Sequence, residues 1–304
     1  MKYNILWFIL ILTCLCGLII LIGAAIINYL IKPNGRIISS GENRTYLIYV
    51  PTTYNPATPT PLVISLHGFA SWPAHQMKMS HWNDLAEKHG FIVVYPSGTG
   101  FPRRWRTGGS AGTANDSMRD VVFIADLIDK LEAEYNIDPN RIFANGLSNG
   151  GGMSFMLACK LADRIAAIGG VSGAYQLPWS ECKPGHPVPI IVFHGTDDAI
   201  VPYAGGIVSP LHFTLPAIPD WVTGWARHNG CTDQPLELPT TGEVSGIRYA
   251  SCNQNADVVF YTIHGGGHAW PGGGLLPKMI VGHTTQDIDA TRIMWEFFIE
   301  HPLE

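Results

Sequence analysis

The sequence predicts an α/β fold, with a mostly parallel central sheet and helices on both of its faces. Three observations lead there. Short apolar runs rich in Val, Ile and Phe alternate along the chain with segments whose apolar residues recur at helical spacing. Several of those runs are apolar throughout rather than at every second residue, the pattern of strands covered on both faces. Finally, Ser148 stands at the centre of Gly146-Leu147-Ser148-Asn149-Gly150, between a strand-like and a helix-like run. Open sheets of this kind gather reactive groups beyond the carboxyl ends of their strands.

Taken in order, residues 36–40 and 44–50 flank Gly41-Glu42-Asn43 and read as a hairpin at one edge of the sheet. Residues 51–61, rich in Thr and Pro, are a loop. Residues 62–66 form a buried strand ending in His67-Gly68-Phe69. A helix over Trp82–His89 stops at Gly90, and 91–95 is the next strand. Residues 97–117 are polar and Gly-rich, without a regular period. Val121, Ile124, Leu127, Ile128 and Leu131 share one helical face within 120–135, and Asp138-Pro139 leads into a strand at 141–145. Beyond Ser148, residues 153–162, 220–228 and 287–301 read as helices, and 165–171, 188–193 and 258–263 as strands. The apolar, proline-broken insertion at 205–219 is either a lid or acyl-pocket lining, or an ordinary loop on the core. With no internal repeat and no low-complexity linker, residues 33–304 are expected to form one domain.

The chain has 304 residues, 46% of them hydrophobic and 14% charged, enough to bury a large core. A net charge of −5 without long runs leaves no nucleic-acid footprint. Residues 1–32 contain an uncharged run at 5–27, behind Lys2, expected to be one hydrophobic helix. It is either a retained transmembrane anchor or a signal segment, with Gly23-Ala24-Ala25 near a possible cut. Lys32, Arg36 and Arg44 outnumber Lys2, which by the positive-inside rule places the body in the cytoplasm. The cysteines point the other way. Cys14 and Cys16 lie in the apolar run, leaving Cys159, Cys182, Cys231 and Cys252 in the body. Four suit two bridges, and pairing Cys159 with Cys182 and Cys231 with Cys252 is one of three connectivities; the alternative is four buried thiols. The expectation is an extracytoplasmic body, secreted or tethered by its N-terminal segment.

A serine on a sharp strand-to-helix turn is held in a strained conformation, and small residues two before and two after it let strand and helix approach. A Gly-rich turn there can instead cradle phosphate, but that reading wants a Lys, and Gly150-Gly151-Gly152 is followed by Met153 and Ser154. A serine hydroxyl needs a base to take its proton and a third group to orient the base. Two later segments supply candidates: His194-Gly195-Thr196-Asp197-Asp198 and His264-Gly265-Gly266-Gly267-His268-Ala269-Trp270. His264 and His268 stand four apart, as in a helical zinc pair, but the three glycines between them argue against a helix and no metal is expected. His67 and His194 read as structural hydrogen-bonders at strand ends.

Through Leu66-His67-Gly68, Asp138-Pro139-Asn140-Arg141, Gly146 to Gly152, His194 to Pro202, Asn229-Gly230-Cys231 and Gly266 to Gly272, the chain resembles the esterase family of polyhydroxybutyrate depolymerases and feruloyl esterases. The likeness runs from about residue 40 to the C-terminus and implies an α/β-hydrolase fold. Carried over by motif, it implies Ser148 as nucleophile, His268 as base and Asp198 as the acid, four residues after His194; Asp197 is the rival. It points to the backbone amides of Phe69 and Asn149 as oxyanion donors. A bridge between Cys231 and Cys252 also belongs to the resemblance. The family's cysteines around the segment from Arg104 to Ser110 are missing here, which leaves substrate preference open. Trp105 and Trp270 are candidates for substrate contact, although most tryptophans simply pack.

The expected function is an extracytoplasmic serine esterase acting on polyhydroxyalkanoate, feruloyl or short acyl esters through a Ser-His-Asp triad, with no cofactor. A peptidase on the same fold and an inactive surface binding protein are the alternatives. The expected partner is an ester substrate, small or polymeric.

Overall fold

The computed structural model describes residues 32–108, 114–208, 213–274 and 277–303. The expected N-terminal helix, with Cys14 and Cys16, lies outside the described residues, as do Gly109 and Ser110.

The first hairpin pairs β1 (Gly35–Ser39) with β2 (Glu42–Tyr49) and turns through Ser40 and Gly41, both at positive φ. Next come β3 (Thr60–Leu66), α1 (Pro73–Ser80), α2 (Trp82–His89), β4 (Ile92–Pro96) and α3 (Ala114–Glu134). The middle of the chain forms β5 (Ile137–Leu147), α4 (Asn149–Lys160), β6 (Ala167–Val171) and β7 (Ile190–Gly195). Two short strands, β8 (Gly206–Val208) and β9 (Phe213–Leu215), precede α5 (Ile218–His228). The chain then runs through β10 (Leu236–Thr241), β11 (Val244–Tyr249), β12 (Val258–Ile263), the one-turn α6 (Lys278–Val281) and α7 (Ala290–Glu300).

Among the described residues ten strands share one sheet, in the order β1-β2-β4-β3-β5-β6-β7-β12-β11-β10. From β4 through β12 the neighbours are parallel, and an antiparallel hairpin closes each edge. Successive strand residues point to opposite faces, so the apolar runs feed two cores. Leu62, Ile64, Ile142 and Ala144 pack with Ile124, Leu127, Phe155 and Trp221 from α3, α4 and α5. Val63, Val93 and Phe143 pack with Trp82, Trp295 and Phe298 from α2 and α7. In this second core Phe91 stacks on Trp295 at 4.0 Å and Phe143 on Phe298 at 4.8 Å.

The alternation of strands and helices is as expected, with differences at several places. The edge hairpin β10–β11 is absent from the sequence reading because β10 is exposed along most of its length, leaving no apolar alternation to detect. Helix α4 starts at Asn149 rather than 153, since Gly150, Gly151 and Gly152 carry poor helix propensity yet are helical here. The insertion at 205–219 contributes β8 and β9, paired antiparallel, with 209–212 outside the described residues. Helix α1, with Pro73 in its first turn, is a further addition. Among the described residues no helix is long and apolar enough to cross a membrane.

Two disulfides are present among the described residues. Cys159–Cys182 ties the end of α4 to the segment between β6 and β7, and Cys231–Cys252 ties the end of α5 to the segment after β11. Each closes a loop a little over twenty residues long, 23 and 21 apart in sequence. Chain entropy assigns such a loop about 3 kcal/mol of stabilisation. Replacing both Cys159 and Cys182 by Ser should therefore lower the unfolding free energy by about 3 kcal/mol in urea titrations. An unchanged transition would mean that packing alone holds this segment.

Candidate active site

The site begins with a steric constraint at the end of β5. A Cβ on Gly150 would stand 2.2 Å from the Leu66 carbonyl oxygen, and one on Gly146 would stand 2.4 Å from the Gly150 carbonyl carbon. Only hydrogen side chains let α4 start this close to β3. The residue between them, Ser148, takes φ 57° and ψ −120°, a conformation that costs a residue with a Cβ on the order of 1–3 kcal/mol. Main-chain bonds hold it there: the Ser148 N–H donates to the Val171 carbonyl at 2.9 Å, and its carbonyl accepts from Gly152 and Ala174, each at 3.0 Å. Its hydroxyl makes no hydrogen bond among the described residues.

The candidate acid and base come from neighbouring parallel strands. The paired rows Leu147–Val171, Val171–Phe193 and Phe193–Tyr261 run across β5, β6, β7 and β12, so the loops carrying Ser148, Asp198 and His268 all leave the same end of the sheet. Asp197 donates its N–H to the Gly266 carbonyl at 2.9 Å, which joins the two loops. On the far side of the His268 loop, Gly267 donates to the His283 carbonyl and His268 to the Val281 carbonyl. His268 Nδ1 then lies 2.8 Å from Asp198 Oδ2. It is Asp198 that meets the imidazole; Asp197 is exposed and contacts Thr196. His264 takes a different partner, Ser245 Oγ at 2.9 Å, because the chain turns at Gly265 with φ 72°.

Asp198 is almost fully buried. Burial alone would raise its carboxyl, but the hydrogen bond and charge of His268, the charge of His194 and the Val201 amide together hold it below its ordinary value. Its second oxygen accepts from the Ile200 and Val201 amides at 2.9 and 2.8 Å. A carboxylate so held stays ionised and keeps the Nδ1 proton of His268 in place. That tautomer leaves Nε2 as the ring's acceptor atom.

Across the serine, Gly68 brings a second loop close: a Cβ there would lie 3.5 Å from Ser148 Cβ. Among the described residues, neither the Phe69 amide in this loop nor the Asn149 amide opening α4 donates to a protein acceptor. The latter is one of the unpaired donors that begin any helix. His67, fully buried, bonds the Gly68 carbonyl through Nδ1 at 2.8 Å and accepts the Gly98 N–H at Nε2 at 3.0 Å.

Trp105 and Trp270, expected as substrate contacts, are instead buried and bonded inside the protein. Trp105 is 2% exposed and donates its indole N–H to the His67 carbonyl at 2.9 Å. Trp270 is 1% exposed and donates to Thr291 Oγ1 at 2.9 Å. Each indole fills its place by packing and satisfies its N–H inside the protein, as most tryptophans do. The Asn149 side chain is a feature sequence reasoning missed. Its Oδ1 accepts the Trp105 N–H at 2.7 Å and its Nδ2 donates to the Trp105 carbonyl at 3.1 Å. No local signal announces it, because the partner lies 44 residues away in the chain.

Burial pushes both His67 and His194 down to about 4, in spite of the carbonyl contacts that favour their charged forms and, for His194, the charge of Asp198. Their native values thus lie below the unfolded value of about 6.5. The unfolded chain binds more protons between these limits, so stability is complete above about pH 6.5 and is lost as pH falls toward about 4, by up to roughly 3 kcal/mol per histidine. Asp198, depressed as well, adds a further loss at still lower pH. Thermal melts should show a steady Tm above neutrality and a steep fall between about pH 6.5 and 4; a flat profile across that interval would contradict the assignment.

Comparison with known proteins agrees with this architecture. The family model Esterase PHB depolymerase matches residues 44–177. Feruloyl esterase B of Piromyces equi is 32% identical over 236 residues, which is 74% of this chain but only 42% of that protein's length. Feruloyl esterase D of Neurospora crassa is 30% identical over 289 residues, covering 87% of this chain and 86% of its own. Among solved structures, an acetyl xylan esterase from Aspergillus awamori superposes with a TM-score of 0.63 over 87% of this chain and 98% of that one, at 17% identity. At that identity the likeness concerns the fold, and the fold is that of the α/β-hydrolases. The chain belongs to the esterase family of polyhydroxybutyrate depolymerases and feruloyl esterases.

Proposed function

We propose that this protein hydrolyses carboxylic esters through an acyl-enzyme, with Ser148 as nucleophile, His268 as general base and Asp198 as the carboxylate that orients it. The observation that carries the reading is the 2.8 Å contact between Asp198 Oδ2 and His268 Nδ1, beyond the same sheet end as the strained Ser148 elbow. Ser148 Oγ attacks the ester carbonyl as His268 Nε2 takes its proton, and the imidazolium formed is stabilised by Asp198. The same proton passes to the departing alcohol. Water, deprotonated by His268, then attacks the acyl group and releases the acid and Ser148. The amides of Phe69 and Asn149 stabilise the oxyanion of each tetrahedral intermediate.

The names of the matching family and relatives support polyhydroxyalkanoate and feruloyl esters as substrates, beside short acyl esters. Two formed disulfides support an extracytoplasmic body. Residues 33–304 serve as the esterase domain and 1–32 as its anchor or signal segment.

Ser148→Ala should lower turnover of a short p-nitrophenyl ester by on the order of a thousandfold or more, with far-UV circular dichroism and Tm preserved. A fluorophosphonate should label the wild-type protein at Ser148 and leave the variant unlabelled. Wild-type turnover retained in the variant would remove the proposal.

A further inference from the structure

Both proposed oxyanion amides are joined by a closed chain of contacts outside the triad. It starts at Asn149, whose side-chain amide grips the main chain of Trp105 from both sides, Oδ1 accepting the N–H at 2.7 Å and Nδ2 donating to the carbonyl at 3.1 Å. Nδ2 also reaches Thr107 Oγ1 at 3.3 Å, and Thr107 donates to Gln176 Oε1 at 2.6 Å. From Trp105 the indole N–H crosses to the His67 carbonyl at 2.9 Å, while its ring centroid lies 5.1 Å from that of His67. His67 is followed directly by Gly68 and Phe69, and the Ala70 N–H after them donates to the Arg103 carbonyl at 2.8 Å. Asp120, buried within α3, fixes the far side by accepting the Arg106 N–H on Oδ2 at 2.9 Å, its Oδ1 paired to buried Arg44 at 2.8 Å.

We infer that Asn149 and Trp105 are positioning residues that set the separation and aim of the Phe69 and Asn149 amides. This rests on the ester-hydrolase reading above. Two donors on separate loops help a developing oxyanion only if their spacing is fixed before charge appears, since reorienting them during the reaction would consume the stabilisation they provide. Loop 67–71 has no regular secondary structure to supply that fixity apart from its turns. The 103–107 segment supplies it, clasped at one end by the helix that carries one donor and bonded at the other to the loop that carries the second. Because Asn149 contributes its amide to one role and its side chain to the other, truncating the side chain leaves the donor in place and removes only the clasp.

The inference separates from the triad in kinetics. Asn149→Ala should lower kcat for a p-nitrophenyl ester by about tenfold to a hundredfold while KM stays within about twofold, since ground-state binding does not use the oxyanion donors. Trp105→Phe, which keeps a ring but loses the indole N–H, should show the same split with a smaller loss. Affinity for a trifluoromethyl ketone, whose serine adduct carries an oxyanion, should fall in proportion to kcat/KM in both variants. The double variant should lose less than the product of the single losses, because both residues belong to one chain of contacts. The pH dependence of kcat/KM should match wild type, as Asp198 and His268 are untouched. If Asn149→Ala fails to fold, Trp105→Phe alone decides. Wild-type kcat in a folded variant, or a loss confined to KM, would overturn the inference while leaving the esterase reading intact. Absence of turnover and of fluorophosphonate labelling in the wild-type protein would instead overturn that reading.

Discussion

The close approach of α4 to the end of β3 is the constraint from which the rest of the site follows. Gly150 sits so near the Leu66 carbonyl that no side chain fits, and the chain between β5 and α4 has to turn within one residue. That residue is Ser148, and its left-handed φ is the result of the turn rather than a local preference of serine. The strain is sustained because β5 is buried in the sheet on both sides and α4 is packed on its face by Phe155, Met156 and Leu157. A catalytic reading of Ser148 therefore draws on the stability of the whole sheet.

The same sheet brings the candidate acid and base together. His268 and Asp198 are far apart in sequence but follow adjacent parallel strands whose registers match at Ile263 and Gly195. Glycines line the junction: a Cβ on Gly195 would stand 2.1 Å from the Gly266 carbonyl oxygen, so the two loops lie main chain against main chain. The loop that carries the imidazole is held by the backbone N–H groups of Gly267 and His268, which donate to the His283 and Val281 carbonyls, in addition to the carboxylate the ring faces. His194 beneath them is buried with its Nε2 bonded to the Val201 carbonyl, a structural role in keeping with its place at a strand end.

The parts of the fold legible in the sequence were those with a strong apolar pattern. Runs such as Leu62 to Leu66 and the 120–135 face announced themselves because every buried strand and one helix stripe must be apolar. The β10–β11 hairpin did not, being an exposed edge whose residues answer to solvent. The first turn of α4 was hidden behind three glycines that are there for clearance and not for helix propensity. Among candidate site residues, Ser148, Asp198 and His268 could be named through the family resemblance, with Asp197 left as a rival to Asp198. The burial of Trp105 and Trp270 could not, since an indole near a motif reads alike whether it faces a substrate or a neighbouring loop.

What the sequence determined by itself was the order of strands and helices, the elbow serine and the residue types able to move a proton, because these follow from local periodicity and from chemistry fixed in each side chain. What only the tertiary structure decided was which of two adjacent aspartates meets His268, that Asn149 clasps Trp105, and that Trp105 bonds His67. Each of these depends on the direction in which a side chain leaves a loop, and that direction is set by backbone contacts between segments tens of residues apart, which no stretch of sequence contains.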